Sequence, residues 1–124
     1  MVRALALAVL GLAAAGAAAE NEKRSSTPNR HGAIAQYRAL QAWGVSHGFA
    51  RQHDASVEAL KQCANPKCEI VHKYRNGCGA LADGAKKSVA ASGATRAEAE
   101  AKALRRCEEA NKGSCTLLAW GCTR

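Results

Sequence analysis

Residues 59–82 read ALKQCANPKCEIVHKYRNGCGALA, and this stretch decides the fold because one unit ends in it and a second copy begins. Ala59-Leu60-Lys61-Gln62-Cys63 returns as Ala103-Leu104-Arg105-Arg106-Cys107, while Cys78-Gly79-Ala80-Leu81-Ala82 repeats His31-Gly32-Ala33-Ile34-Ala35. Cys63, Cys68 and Cys78 have counterparts in the same order at Cys107, Cys115 and Cys122. The first and third are displaced by 44 positions (107 − 63 and 122 − 78) and the middle one by 47 (115 − 68). A three-residue insertion between Glu108 and Ser114 accounts for the difference. Self-similarity of this kind marks repeated structural units. Alanine-rich sequence matches itself easily, so the ordered cysteines carry the argument.

Each unit has the same internal pattern. Thr95-Arg96-Ala97-Glu98 has the form of a capping box, in which the Thr oxygen accepts from the Glu98 N–H and the carboxylate reaches back. Ala97, Ala101, Leu104 and Cys107 then recur at helical spacing, with Glu98, Lys102, Arg105 and Glu109 turned outward. Glu98 and Lys102 stand four apart, a spacing that favours an ion pair. The first-unit counterpart covers residues 52–63, with Val57, Leu60 and Cys63 as its stripe and Arg51 in place of the capping Thr. Short apolar runs precede each helix, at 33–37 and 42–46, then at 80–82 and 88–91. β-prone segments with turn signals follow, at 69–74 and 116–120. Each half, 31–77 and 78–124, therefore reads strand, strand, helix, strand. The expected fold class is α+β, with the helices packed on an antiparallel sheet.

The N-terminal end reads as a targeting segment. Arg3 supplies a positive start, residues 4–16 are an unbroken run of Ala, Leu, Val and Gly, and Ala17-Ala18-Ala19 offers a signal-peptidase site. The apolar run is shorter than the roughly 20 residues a bilayer-spanning helix needs. The expected organisation is a signal peptide over 1–19, a flexible linker over 20–30 and one domain over 31–124. No transmembrane segment is expected after cleavage, and the expected location is periplasmic or secreted.

Six cysteines in a small exported chain read as a disulfide framework, because such a chain buries little apolar surface and staples compensate. Spacing alone does not choose among the possible pairings. If both halves make the same internal bond, Cys63 pairs with Cys68 and Cys107 with Cys115. The remaining bond, Cys78 with Cys122, would then join the two halves. Paired zinc ligands usually stand two residues apart, unlike these cysteines, and no Cys-x-x-Cys redox motif is present. No metal and no cofactor are expected.

Catalytic patterns are equally thin. His31, His47, His53 and His72 share no ligand-like spacing. Ser46 and His47 are neighbours whose side chains point to opposite faces of a strand, and there is no Gly-x-Ser-x-Gly turn. Nothing fixes a separation between Asp54, Glu58, Glu69 and Asp83. Tyr37, Trp43, Phe49, Tyr74 and Trp120 are expected to be the large core fillers of an Ala-rich chain, and Trp43, Phe49 or Tyr74 is the candidate exposed anchor. The formal charge is +8, or +7 once Arg3 is removed with the leader. Outside the cytoplasm, that charge suits an acidic protein or an anionic envelope polymer more than nucleic acid. The candidate docking residues are Lys73, Tyr74, Arg75, Lys86 and Lys87; Arg105-Arg106 forms a third basic cluster.

Gly32-Ala33-Ile34-Ala35, Trp43-Gly44, the two Ala-Leu-x-x-Cys helix ends, residues 75–82 (RNGCGALA) and residues 119–123 (AWGCT) together resemble the bacterial domain-of-unknown-function family 4189. The resemblance runs from His31 to the C-terminus. It implies a small, cysteine-rich, secreted or periplasmic protein, with no established activity and no catalytic residues to carry over. The chain departs from the pattern at Ser88-Val89-Ala90-Ala91, where an aromatic-Gly strand is expected. The reading that results is an exported, non-enzymatic binding module of unknown protein target, of the inhibitor or immunity type. The alternatives are a basic envelope structural protein contacting anionic polymers, and a small envelope hydrolase.

Overall fold

The computed structural model describes residues 28–123; the expected leader and residues 20–27 of the expected linker lie outside them. Two antiparallel sheets of three strands each carry one helix apiece. The first unit is β1 (His31–Tyr37), a 3-10 turn (Arg38–Leu40), β2 (Ala42–Phe49), α1 (Gln52–Cys63) and β3 (Glu69–Arg75). The second is β4 (Cys78–Asp83), β5 (Ser88–Gly93), α2 (Arg96–Asn111) and β6 (Thr116–Cys122). Strand orders are β2-β1-β3 and β5-β4-β6, so the two units share topology as well as sequence pattern. The β-structure expected from the sequence comes as two sheets, one per unit.

The sheets stack face to face, giving four layers: helix, sheet, sheet, helix. Ile34, Tyr74 and Leu81, with Trp43, Val45, Leu118 and Ala119, fill the space between the sheets. On the outer faces, Ala55, Ala59 and Cys63 of α1 meet Ala33 and Ala35, while Ala99, Ala103 and Cys107 of α2 meet Ala80, Ala82 and Ala91. This explains why the central strands β1 and β4 are nearly continuous buried runs: both of their faces are covered.

The helical stripes are shifted from those read off the sequence. Val57 is 44% exposed, and Ala97 and Ala101 face solvent. The buried positions are instead Ala55-Ala59-Cys63 and Ala99-Ala103-Cys107, each at i, i+4, i+8. Alanine occurs at several phases of both helices, so its periodicity cannot select one. Close packing selects the phase in which small side chains let helix backbone approach sheet backbone. Gly44 shows how close: a Cβ there would meet the Ala59 carbonyl oxygen and lie 2.6 Å from the Cys63 nitrogen. Gly44→Ala is expected to lose about 1–3 kcal/mol of stability by overpacking, read as a lower denaturation midpoint. An unchanged midpoint would show that α1 stands farther from β2.

The α2 start follows its sequence signal. Thr95 Oγ1 accepts from the Glu98 N–H at 3.2 Å, and the Glu98 carboxylate accepts from the Ala94 N–H at 2.9 Å. Lys102 does not turn to Glu98; its ammonium donates to the Ser92 carbonyl at 3.0 Å, while Arg96 and Glu100 form the i,i+4 ion pair. Asn29 and Arg30, within the expected linker, are hydrogen-bonded to Asn76 in the β3–β4 turn.

All three expected disulfides are present: Cys63–Cys68, Cys107–Cys115 and Cys78–Cys122. The last does not join the halves. Cys78 and Cys122 are direct partners on β4 and β6, inside the second sheet. The halves are held together by the sheet-to-sheet core and by a polar seam at one end of it. There Arg38 Nε donates to Asp83 at 2.8 Å, Ser88 Oγ to the same oxygen at 2.6 Å, and Gln36 Nε2 to Ser88 Oγ at 2.9 Å. Ser88, where the sequence departs from the aromatic-Gly pattern, thus serves this seam. No helix among the described residues is long and apolar enough to cross a membrane.

Candidate functional site

The five candidate docking residues do not form one surface. Tyr74 is 4% exposed and belongs to the core, so it cannot act as an exposed anchor. It is buried because Gly32, Gly79 and Gly121 leave a slot for its ring. Its hydroxyl donates to the Ser46 carbonyl at 2.7 Å. Lys73 and Arg75 are exposed on β3, opposite Ala33 and His31 of β1. Lys86 and Lys87 are exposed in the β4–β5 turn, at the end of the sandwich that Arg38 and Asp83 tie together. About five residues of strand, or about 17 Å, separate the two pairs along the sheet. The main chain of that turn is set by buried Asn111, whose side-chain oxygen accepts from both Lys86 N–H and Lys87 N–H.

The structure gathers a different set around β3. Among the described residues this strand has β1 as its one sheet neighbour, and it is flanked by a depression at each end. The larger, about 520 Å³, is lined by Gln36, Tyr37, Arg38, Lys67, Glu69 and Val71. The smaller, about 330 Å³, is lined by His31, Gln52, Lys73, Tyr74 and Arg75. Lys67 sits 5.9 Å from the centre of the Tyr37 ring. Arg38 is oriented by Asp83 and by the Gly84 carbonyl at 2.5 Å. Burial pushes the Asp83 carboxyl upward, but the hydrogen bonds from Ser88 and Arg38 and the Arg38 charge outweigh it and hold the group below its usual range. Asp83 is therefore ionised and keeps Arg38 in place.

Sequence reasoning missed Arg38 and Lys67. Each is a charged residue in a turn, the commonest place for one, and nothing local marks either. The remaining candidates for chemistry are dispersed. Ser46 Oγ donates to the Ala55 carbonyl at 2.6 Å and accepts from the Ala33 N–H, linking α1 to β1, while His47 is exposed. Asp54 pairs with Arg51, and Glu58 accepts from Gln62. Among the described residues, no three His, Cys, Asp or Glu side chains are grouped to hold a metal ion. The arrangement around β3 offers cations and main-chain hydrogen-bonding groups, which suit recognition of an anionic, extended ligand.

His72, on the inner side of β3, has a buried Nε2 with no hydrogen-bond partner among the described residues. Burial, and then the Arg106 charge, lower its pKa. The fold thus disfavours the imidazolium, and the unfolded chain binds more protons near pH 6.5. The stability His72 contributes is fully present above its unfolded pKa and is lost as pH falls towards the lowered value. His72→Gln is expected to flatten the stability profile between about pH 7.5 and 5.5. An unaltered profile in that variant would assign the pH dependence to another group.

The profile of the family described as "Domain of unknown function (DUF4189)" matches residues 31–122. The chain belongs to this family. The matched span covers all six strands and both helices, and with them both depressions around β3. This DUF4189 domain is also similar to the NMR structure of Rv1813c from Mycobacterium tuberculosis, with 27% sequence identity, a TM-score of 0.56 and 74% of each chain covered. None of the curated proteins matches the chain.

Proposed function

We propose that the chain is an exported, non-enzymatic binding module of the inhibitor or immunity type, which engages another protein outside the cytoplasm. The observation that carries this reading is the β3 edge, flanked by two depressions and the cations Lys67, Lys73 and Arg75 on a scaffold closed by three disulfides. A rigid scaffold loses little conformational freedom on binding, so its contacts convert efficiently into affinity. Export is supported by the leader-like residues 1–19, with cleavage before Glu20, and by disulfides that persist in oxidising compartments.

The exposed cations also fit an anionic envelope polymer, and salt separates the two partners. Surface charge pairing alone weakens steeply with ionic strength, whereas a packed protein interface persists. Affinity capture with the oxidised chain from Glu20 to Arg124, run on envelope and secreted fractions, is expected to retain a discrete protein at high salt. Retention of polymer alone, released by salt, would overturn the reading in favour of an envelope-coating role.

A further inference from the structure

Edge strands expose unpaired main-chain groups, and side chains usually blunt them. Two edges of this molecule are blunted by the adjoining helix. The Gln62 side chain accepts from the Val45 N–H on β2, and Lys102 donates to the Ser92 carbonyl on β5. Among the described residues, no side chain bonds the main chain of β3 in this way. β3 has instead a bulge, with Ile70 paired to Ala35 and His72 to Ile34 and Val71 left between them, 45% exposed. This and its charged residues turn away a flat apolar strand but leave the main chain open to a charge-complementary one.

Charge narrows the choice of occupant. Lys67, Lys73 and Arg75 border the strand and its depressions against the single acid Glu69, while Arg38 beside them is already paired with Asp83. A second copy of this chain pairing β3 with β3 would bring like charges together. The other unblunted edge, β6, has no charged residue from Thr116 to Cys122, and nothing in the structure shows what would cover it.

We propose that β3 accepts an extended acidic peptide segment of a partner protein as an added strand, a refinement that rests on the binding-module reading above. Main-chain hydrogen bonds to β3 hold the segment regardless of its sequence. Its alternate side chains enter the two depressions, where Lys67, Lys73 and Arg75 select carboxylates. The seven residues of β3 offer about 20 Å of strand, enough for a segment of about six residues.

The test uses the oxidised full domain, isotopically labelled, and a blocked peptide of roughly ten residues alternating Asp with Val. A companion peptide has Lys for Asp. The acidic peptide is expected to shift the β3 amide signals and slow their hydrogen exchange, while the basic one does neither. K73E/R75E is expected to weaken binding by about tenfold or more. Val71→Pro, at a position with no partner in the β1 register, is expected to remove the exchange protection while leaving the fold intact. Unchanged binding in K73E/R75E, or signal shifts centred on Arg105-Arg106 or Lys86-Lys87, would overturn the proposal. So would an anionic polysaccharide that occupies β3 as tightly as the peptide. If the acidic peptide fails while a discrete protein is still captured at high salt, the β3 assignment falls and the binding-module reading stands. If both fail, both fall.

Discussion

Tyr74→Ala is expected to lower the unfolding free energy by about 3–5 kcal/mol, in the upper range for a single core truncation. The ring lies between the two sheets and closes against both units at once. A Cβ on Gly79 would come within 2.7 Å of Tyr74 Cδ1, and one on Gly32 or Gly121 would collide with its far end. The three glycines facing the ring have no side chains of their own to move into the space it vacates, so only the more distant neighbours between the sheets could do so. Much of the cavity would therefore persist, which is the condition under which truncation is most damaging. Tyr74→Phe removes only the hydroxyl and leaves the Ser46 carbonyl without its buried donor, an effect of about 1–2 kcal/mol. Denaturant unfolding with the disulfides intact measures both. A loss in Tyr74→Ala no greater than in Tyr74→Phe would mean that the ring is not the keystone between the sheets. Burial also pushes the phenol up to about 12. The stability this contributes is present below its ordinary pKa near 10 and is lost as pH rises through the raised value.

Replacing Cys78 and Cys122 together by alanine is expected to lose about 4 kcal/mol, against about 2–3 kcal/mol for either helix-end pair, on the loop-entropy account. The difference comes from loop length. Cys78–Cys122 closes 44 residues of separation, whereas the other two bonds close 5 and 8. The long bond ties the ends of β4 and β6 and so encloses the whole second unit, while each short bond pins one helix end to the next strand. A domain of this size has a total stability on the order of 5–15 kcal/mol, so the long bond decides whether the second sheet stays assembled. Equal losses for the three double variants would show that the unfolded chain does not gain the freedom assumed. Peptide mapping without reduction checks the connectivity itself.

The cysteine pairs were legible because the repeat imposed a rule on them: equivalent cysteines make equivalent bonds. What that rule could not convey was location, and Cys78–Cys122 proved to lie within one sheet. Helix positions were legible for a similar local reason, since Thr95 and Glu98 cap through atoms three residues apart. The candidate site was barely legible. Lys73 and Arg75 stood among the candidate docking residues, whereas Arg38 and Lys67, which line the depression at the other end of β3, come from other turns. Tyr74, grouped with them by adjacency, points into the core because neighbours on a strand face opposite ways.

By itself, then, the amino-acid sequence determined the α+β class, the two-unit order of elements and the three covalent links. Each of these depends on interactions between residues close in the chain or related by the repeat. Tertiary structure alone decided which face of each alanine-rich helix is buried, that the two sheets stack across Tyr74, and that β3 has β1 alone beside it among the described residues. Those outcomes depend on which surfaces meet. Alanine and glycine encode that choice by leaving space, and the space acquires meaning only when its occupant arrives from another part of the chain.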